Sequence, residues 1–452
     1  MNGQSAVILD GSREGEEALG SIIDMVRVEL EHSGTSVKIF RPHDCKLAHC
    51  IGCFGCWLET PGVCRENDDG RKIAASVIRS DLTVLVTPVT FGGYSSELKK
   101  AMERLVPLAL PFFKKYYGEI HHIPRYSHSP RLVMIGVQQQ DDPDSAHLFK
   151  AIAARNALNI HAESHAAEVI NSAENPEVIR WIIRALLSRN DPVRFGPAIT
   201  AFQAQPGALP ATTTGSRHAL LIVGSPKTLS ASTSGVLGGH LVNRLQEHGW
   251  SAETITLKAS LRRADGRAEL LSAVDRADLL LFVFPLYFDS LPFLMTRALE
   301  LIADHRRGAA VKRPQSLVAV SNNGFPEPYQ NAPALAICRR FALETGITWA
   351  GGLALGGGQS LSSGTPLSGD GRSGRPPVKH VIEALDLTAA ALAAGQPVPG
   401  KAVELMARNP IPFLPFAAWR WIYMKGGTRM WRQQAAQHGV TREAMFARPY
   451  AD

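Results

Sequence analysis

Five of the six cysteines fall between Cys45 and Cys64, in the order Cys45-x4-Cys50-x2-Cys53-x2-Cys56-x7-Cys64. Two-residue gaps let successive sulfurs face one site, so Cys50, Cys53, Cys56 and Cys64 can wrap a [4Fe–4S] cubane. Four thiolates can equally close a zinc site, a close pair can act as a redox dithiol, and the cysteines can stand without metal. Spacing leaves all of these open. A second chemical patch is Gly224–Ser234, GSPKTLSASTS, between a short apolar run and a helical pattern. Ligands of open parallel sheets sit at such strand ends. Gly224 permits a sharp turn, and Ser225, Ser232, Thr233 and Ser234 bring donors to a helix N-terminus, whose dipole favours a phosphate. The loop is neither a Walker loop nor G-x-G-x-x-G; plain Ser/Thr capping of the helix is the alternative. Its counterpart in the first half, DGSREGEEALG, offers Ser12 and Arg13, but Glu14, Glu16 and Glu17 would repel an anion. His161-x3-His165 has helical ligand spacing, yet the strand-like start of that segment and the lack of a third ligand argue against metal. No side chain is assigned a catalytic acid–base role.

These loops need a scaffold, and the sequence carries one twice. Ser80–Val86 (SDLTVLV) and the following TPVTFGGYSSELKKAMERL align with Ala277–Val283 (ADLLLFV) and FPLYFDSLPFLMTRALELI at an offset of 197. Each copy reads as an apolar strand, a Pro-led loop and a helix. A strand apolar on both faces belongs to a sheet covered on both sides. First strands are expected at Ala6–Leu9 and Ala219–Val223, with helices at Gly20–Leu30 and Val236–Glu247. Second strands fall at Ser36–Phe40 and Glu253–Leu257, and fourth strands at Arg131–Val137 and Ser316–Val320. Fifth strands are expected at Ile160–Ala167 and Thr348–Leu355. This alternation predicts two doubly wound α/β domains. The expected division is 1–195, a linker at 196–217, 218–400, and a basic aromatic tail at 401–452. Gly356–Pro377, dense in Gly and Ser, reads as a surface loop, with a lid as the alternative.

Length and charge bound the rest. A chain of 452 residues supports two or three domains. Of the net charge of +7, Lys401–Asp452 contributes eight basic against three acidic residues, or +5. The body is therefore near neutral, which argues against a nucleic-acid partner. No window approaches a membrane span, and the N-terminus lacks signal-peptide regions, so a cytoplasmic location is expected. Cys338, alone on a helical pattern, reads as a buried small hydrophobe. The tail interleaves aromatic and basic residues over Ile411–Trp431, which suits a peripheral membrane contact or an arm packed on the second domain or a partner subunit. Pro412 and Pro415 suggest an irregular wrap.

GSP-x5-STS, then ADLLLFVFPLYFDSLP, then SNNGFPEP resembles the three flavin-binding loops of the flavodoxin-like NAD(P)H-dependent FMN reductase family. In the first half, CIGCFGCWLETPGVC, DDG and SDLTVLVTPVTFGGYSSELKKAMERL resemble its cysteine-rich, iron–sulfur-flavoprotein-like branch. The resemblance covers most of residues 5–170 and 218–356 and implies two tandem flavodoxin-like domains. By it, Gly224, Ser225, Ser232, Thr233 and Ser234 would hold the FMN phosphate. Pro285, Leu286, Tyr287, Phe288, Asp289 and Ser290 would border the isoalloxazine, and Asn322, Asn323 and Gly324 its other edge. A second flavin site would comprise Ser12, Pro88, Thr90, Phe91, Gly92, Gly93 and Tyr94, although the family often has an aromatic at the Thr90 position. Members of the cysteine-rich branch include cluster-free reductases, so the metal-free reading stays open beside Cys50, Cys53, Cys56 and Cys64 as cluster ligands. The implied activity passes hydride from NAD(P)H to FMN and on to a quinone, nitro, azo or flavin acceptor. The rivals are an iron–sulfur flavoprotein electron carrier and a non-catalytic flavin-binding regulator. Single-domain relatives pair as dimers, so the halves are expected to form an intrachain pseudo-dimer, with a homodimer through the tail as a further option.

Overall fold

The apolar runs Ala6–Leu9 and Leu279–Phe284 are buried along their length, as strands covered on both faces must be. The computed structural model describes residues 4–15, 18–193, 206–210, 217–308, 313–361, 364–367, 378–411 and 413–451. Most of the expected linker at 196–217, residues 362–363 and 368–377 of the Gly/Ser tract, and Glu16 and Glu17 lie outside them. The chain divides into two compact units, Met1–Pro197 with Ile422–Asp452, and Ala198–Trp421.

The first unit runs β1 (Ser5–Asp10), α1 (Ala18–His32), β2 (Ser36–Phe40), α2 (Gly55–Leu58), α3 (Asp69–Arg79), β3 (Leu82–Pro88), α4 (Ser96–Glu103), β4 (Ala109–Tyr116), β5 (Glu119–Pro124), β6 (Arg131–Gln138), α5 (Pro143–Asn159), β7 (His165–Asn171) and α6 (Pro176–Ser188). Its sheet is parallel, in the order β2-β1-β3-β6-β7. β4 and β5 form a separate antiparallel hairpin inserted before β6. Its turn residues Tyr117 (φ 46°) and Gly118 (φ 94°) are both left-handed, the geometry that matches strand twist. The expected strand at Ile160–Ala167 is displaced. α5 continues to Asn159, left-handed His161 (φ 55°) turns the chain, and the strand starts at His165. Ile160 belongs to the helix end, and the apolar positions that pair with β6 are Ala166, Ala167, Val169 and Ile170.

The second unit runs β8 (His218–Val223), α7 (Thr233–Glu247), β9 (Ser251–Thr256), α8 (Leu257–Ser260), α9 (Ala264–Arg276), β10 (Leu279–Pro285), α10 (Phe293–Gly308), β11 (Ser316–Asn322), α11 (Ala332–Thr345), β12 (Thr348–Leu355), α12 (Gly358–Leu361), α13 (Lys379–Ala393), α14 (Gly400–Met406) and α15 (Phe416–Gln437). Its parallel sheet has the order β9-β8-β10-β11-β12. Counted within each unit, both orders are 2-1-3-4-5, that of flavodoxin-like sheets. The tail is not an irregular wrap. The amides of Ala418 and Trp419 bond the Pro415 carbonyl, so this proline starts a 22-residue helix rather than breaking one. The division between units falls inside that helix.

Candidate functional site

The two sheets present the same backbone device at their carboxyl edges. Gly11 N–H bonds Val86 O at 2.7 Å, and Gly224 N–H bonds Val283 O at 2.9 Å. A Cβ on Gly11 would lie 2.9 Å from the Cβ atoms of Leu98 and Thr87; on Gly224 it would meet those of Met295 and Phe284 at 3.3 and 2.9 Å. These neighbours are partners in the 197-residue repeat, so only glycine fits at either strand end. The next loop also repeats. Phe91 (φ 53°) and Phe288 (φ 49°) are both left-handed, followed by Gly92 (φ 77°) and Asp289 (φ 50°). Thr90 bridges Gly93 as Tyr287 bridges Ser290. A left-handed non-glycine residue costs roughly 1–2 kcal/mol, and such strain clusters at ligand sites.

The phosphate-side loops differ. In the second unit Ser232 is the N-cap of α7, its Oγ accepting from Gly235 N at 2.9 Å. Ser234 Oγ accepts from Asn322 Nδ2 at 2.9 Å, and Ser225 Oγ accepts from Lys227 N at 3.2 Å. The loop has no acidic residue and one lysine, Lys227, is hydroxyl-rich and sits at the start of a 15-residue helix, so its donor chemistry fits a phosphate. The corresponding donors of the first unit turn inward. Asp10, buried at the end of β1 where the second unit has Val223, accepts from Ser12 N at 2.9 Å and from Ser12 Oγ. Arg41 Nε neutralises it at 3.1 Å. A phosphate there would meet a carboxylate. Sequence reasoning blamed Glu14, Glu16 and Glu17 and missed Asp10, which simply looked like the last residue of a strand.

Asn322 ends β11 and Asn323 and Gly324 follow it, with Asn322 Nδ2 also donating to Phe284 O at 3.1 Å and Asn323 Nδ2 to Glu327 O at 2.8 Å. Glu327, fully buried, pairs with Arg420 Nε at 2.7 Å. Pro285 to Phe288 are partly exposed, whereas Ser225, Ser232 and Ser234 are buried. Part of that cover is the described portion of the Gly/Ser tract. Thr233 Oγ1 donates to Gly358 O at 3.3 Å, a Cβ on Gly358 would sit 2.9 Å from Asn322 Oδ1, and one on Gly364 would sit 2.6 Å from Ser230 O. A strap of chain thus lies against the phosphate loop.

The cysteine loop belongs to the first unit. Phe54 (φ 57°) turns the chain into the short α2, and Phe54 stacks on Trp57 at 5.1 Å. Burial pushes the Cys50 thiol up to about 12, with Glu103 adding to it, and holds Cys56 well above its ordinary value. Cys53 and Cys64 both act electrostatically on Cys50 and Cys56. The Arg104 guanidinium, buried and bound to both Asp68 oxygens at 2.7 Å, lies within hydrogen-bonding reach of Cys64. Among the described residues no three His, Cys, Asp or Glu side chains gather closely enough for a single metal ion. Four thiols on one loop are a donor set that suits a cubane or a zinc ion alike. His161 and His165 do not converge: His161 Nε2 is 2.6 Å from His122 O, and His165 forms a β-bridge with Asp191. Cys338 is fully buried, as a small hydrophobe would be.

C-terminal residues close over this loop. Trp431 packs edge-on against Trp57 and Phe54 at 5.2 and 5.0 Å, and Cys56, Leu58, Phe112, Ala435 and Met445 complete the apolar cluster. The hairpin beside it carries a buried ion network. Arg155 Nη1 reaches both Glu119 oxygens at 2.7 Å, and His121 Nε2 reaches Glu119 at 2.9 Å. Burial raises the Glu119 carboxyl, but the bonds from His121 and Arg155 hold it below the usual range. No motif or spacing marks this network.

Two flavodoxin-like doubly wound units, one with a hydroxyl-lined strand-end loop and one with a four-thiol loop, define the class. Residues 6–134 match the NADPH-dependent FMN reductase family. Over 114 residues the chain is 29% identical to an iron–sulfur flavoprotein of Archaeoglobus fulgidus, covering 25% of this chain and 51% of that one. Over 83 residues it is 35% identical to an iron–sulfur flavoprotein of Methanocaldococcus jannaschii, covering 18% and 42%. The chain spans about half the length of these curated relatives. Among solved structures it is similar to an NAD(P)H:quinone oxidoreductase from Methanothermobacter marburgensis (12% identity, TM-score 0.33, 40% of this chain and 96% of that one). Among the described residues no helix is long and apolar enough to cross a membrane.

Proposed function

We propose that the chain is an FMN-dependent oxidoreductase whose second unit holds the flavin. The observation that carries this is the pairing, in that unit, of an acid-free, hydroxyl-rich loop at the α7 N-terminus with the strained Tyr287–Ser290 turn. Bound there, FMN would accept hydride from NADH or NADPH and pass electrons to a small-molecule acceptor such as a quinone, nitro, azo or flavin compound. The chain's own residues bind and orient. Ser225, Ser232, Thr233 and Ser234 with the α7 N-terminus would take the phosphate, Pro285–Asp289 would border the ring, and Asn322–Gly324 its other edge. Asp10 makes the first unit the poorer phosphate holder, although its Phe91–Gly92 turn is intact.

A second reading, an iron–sulfur flavoprotein electron carrier, is favoured by the four thiols on one loop and by the printed names of the two relatives. On that reading Cys50, Cys53, Cys56 and Cys64 would ligate a cubane that passes single electrons. Anaerobic stopped-flow mixing of the FMN-loaded full-length chain with NADH, NADPH or reduced ferredoxin separates the readings. Bleaching of the flavin by a nicotinamide supports the reductase; bleaching by ferredoxin alone supports the carrier; neither overturns both.

A further inference from the structure

We propose that Arg125 is the charge-compensating, positioning residue of the four-thiol pocket, and that the main-chain carbonyls of Met445 and Ala447 lock it there, making the C-terminal segment part of the site. This rests on the reading of the pocket as a cubane site.

Arg125 is 2% exposed, and its acceptors are all neutral carbonyls: Pro107 O from Nε at 2.8 Å, Met445 O and Ala447 O from Nη1 at 2.8 Å, and Ala109 O from Nη2 at 3.3 Å. Among the described residues no carboxylate bonds or pairs with it. A buried cation without an anion is unusual, because desolvation is normally offset by a partner. The contrast lies one pocket wall away, where Arg104 already has Asp68. Geometry places Arg125 against the cysteine loop. Ala109 O also accepts from Trp57 Nε1 at 2.9 Å, and Met445 lies in one apolar cluster with Cys56. Arg448 Nε returns a bond to Arg125 O at 2.9 Å. A Cβ on Gly62 would lie 2.6 Å from Pro449, so the loop and the C-terminal segment are fitted together.

Each thiol that ligates iron gives its proton to solvent, and four thiolates outweigh the positive charge of a cubane core. The bound group is then an anion, and Arg125 is the cation already in place. Its role acts through the thiolate ligands rather than on any substrate.

The test uses the full-length chain, reconstituted anaerobically with iron salts and sulfide, as wild type, Arg125→Gln and Arg125→Lys. Iron and acid-labile sulfide, iron loss to a chelator, and the midpoint potential are read without any turnover. Wild type is expected to hold about four of each per chain. Arg125→Gln should lose iron about tenfold faster or more and shift its potential negative, while Arg125→Lys keeps the wild-type potential. An Arg125→Gln protein with wild-type potential and iron loss overturns the proposal. So does an Arg125→Lys potential displaced from wild type, which decides the matter if the glutamine variant does not fold. Wild type that takes no iron sinks the cubane reading and the proposal with it.

Discussion

Replacing Ser232 by aspartate separates the fold of the second unit from its proposed ligand. Ser232 caps α7 through one bond, Oγ to Gly235 N at 2.9 Å. Aspartate is an equally good N-cap, and a negative charge at a helix N-terminus adds roughly 0.3–1 kcal/mol when it sits near the surface. Ser232→Asp should therefore melt within about a degree or two of wild type, or above it. The same carboxylate would face a bound phosphate. At ~5 Å and an effective dielectric of about 20, each pair of like charges costs about 3 kcal/mol, so the FMN Kd should rise by two to four powers of ten. Ser232→Ala gives the reverse pattern, losing about 0.5–2 kcal/mol of stability with the cap while weakening FMN by only one hydrogen bond. Isothermal titration of the flavin-free full-length protein with FMN, beside a thermal melt, reads both quantities. Tight, unchanged FMN binding by a well-folded Ser232→Asp protein would refute the placement and move the flavin to the first unit.

Asp68→Asn strands the buried Arg104 guanidinium and should destabilise the protein by about 3–5 kcal/mol in urea denaturation at neutral pH. Burial raises the Asp68 carboxyl, but the Arg104 bond and charge together with the Ala48 and Gly70 amides outweigh it and leave it below its ordinary 3.8; the stability it contributes is thus present above that value and fades as pH falls through the lowered one, so the wild-type advantage should shrink below about pH 4. Gly364→Ala puts a Cβ 2.6 Å from Ser230 O at a left-handed position (φ 85°) and should lift the strap; FMN association followed by flavin fluorescence is expected to quicken, and an unchanged rate would mean that the strap gates nothing. Trp431→Ala removes a 3%-exposed indole from the cluster around Trp57, for a loss of about 3–5 kcal/mol; limited trypsin digestion should then cut after Arg432 or Arg442 sooner than in wild type.

Much of this was legible because the informative residues act locally. Apolar runs such as Leu279–Phe284 mark covered strands, and the 197-residue repeat carried the strand–loop–helix unit of both copies. Ser232 announced both a cap and an anion site. The misses are non-local or lack their usual signal. The hairpin turn is Tyr117-Gly118, where Asn-Gly or Asp-Gly would have been readable. Ile160 satisfies either a strand or a helix end, and only left-handed His161 decides. Asp10–Arg41 spans 31 positions and Arg125–Ala447 spans 322, beyond any periodicity. The two prolines of the tail signalled irregularity when Pro415 in fact initiates a helix.

The first unit is discontinuous, and that has a consequence for synthesis. Between Pro197 and Ile422 the ribosome must add 422 − 197 = 225 residues, which at ~5–20 residues per second takes roughly 11–45 s. Throughout that interval the sheet of the first unit can be complete, yet Trp57 and Cys56 lack Trp431 and Met445, and Arg125 lacks two of its four acceptors. The nascent chain therefore presents Cys56 and Trp57 to the surrounding medium before the segment that covers them exists, whereas Cys53 stays exposed in the finished protein.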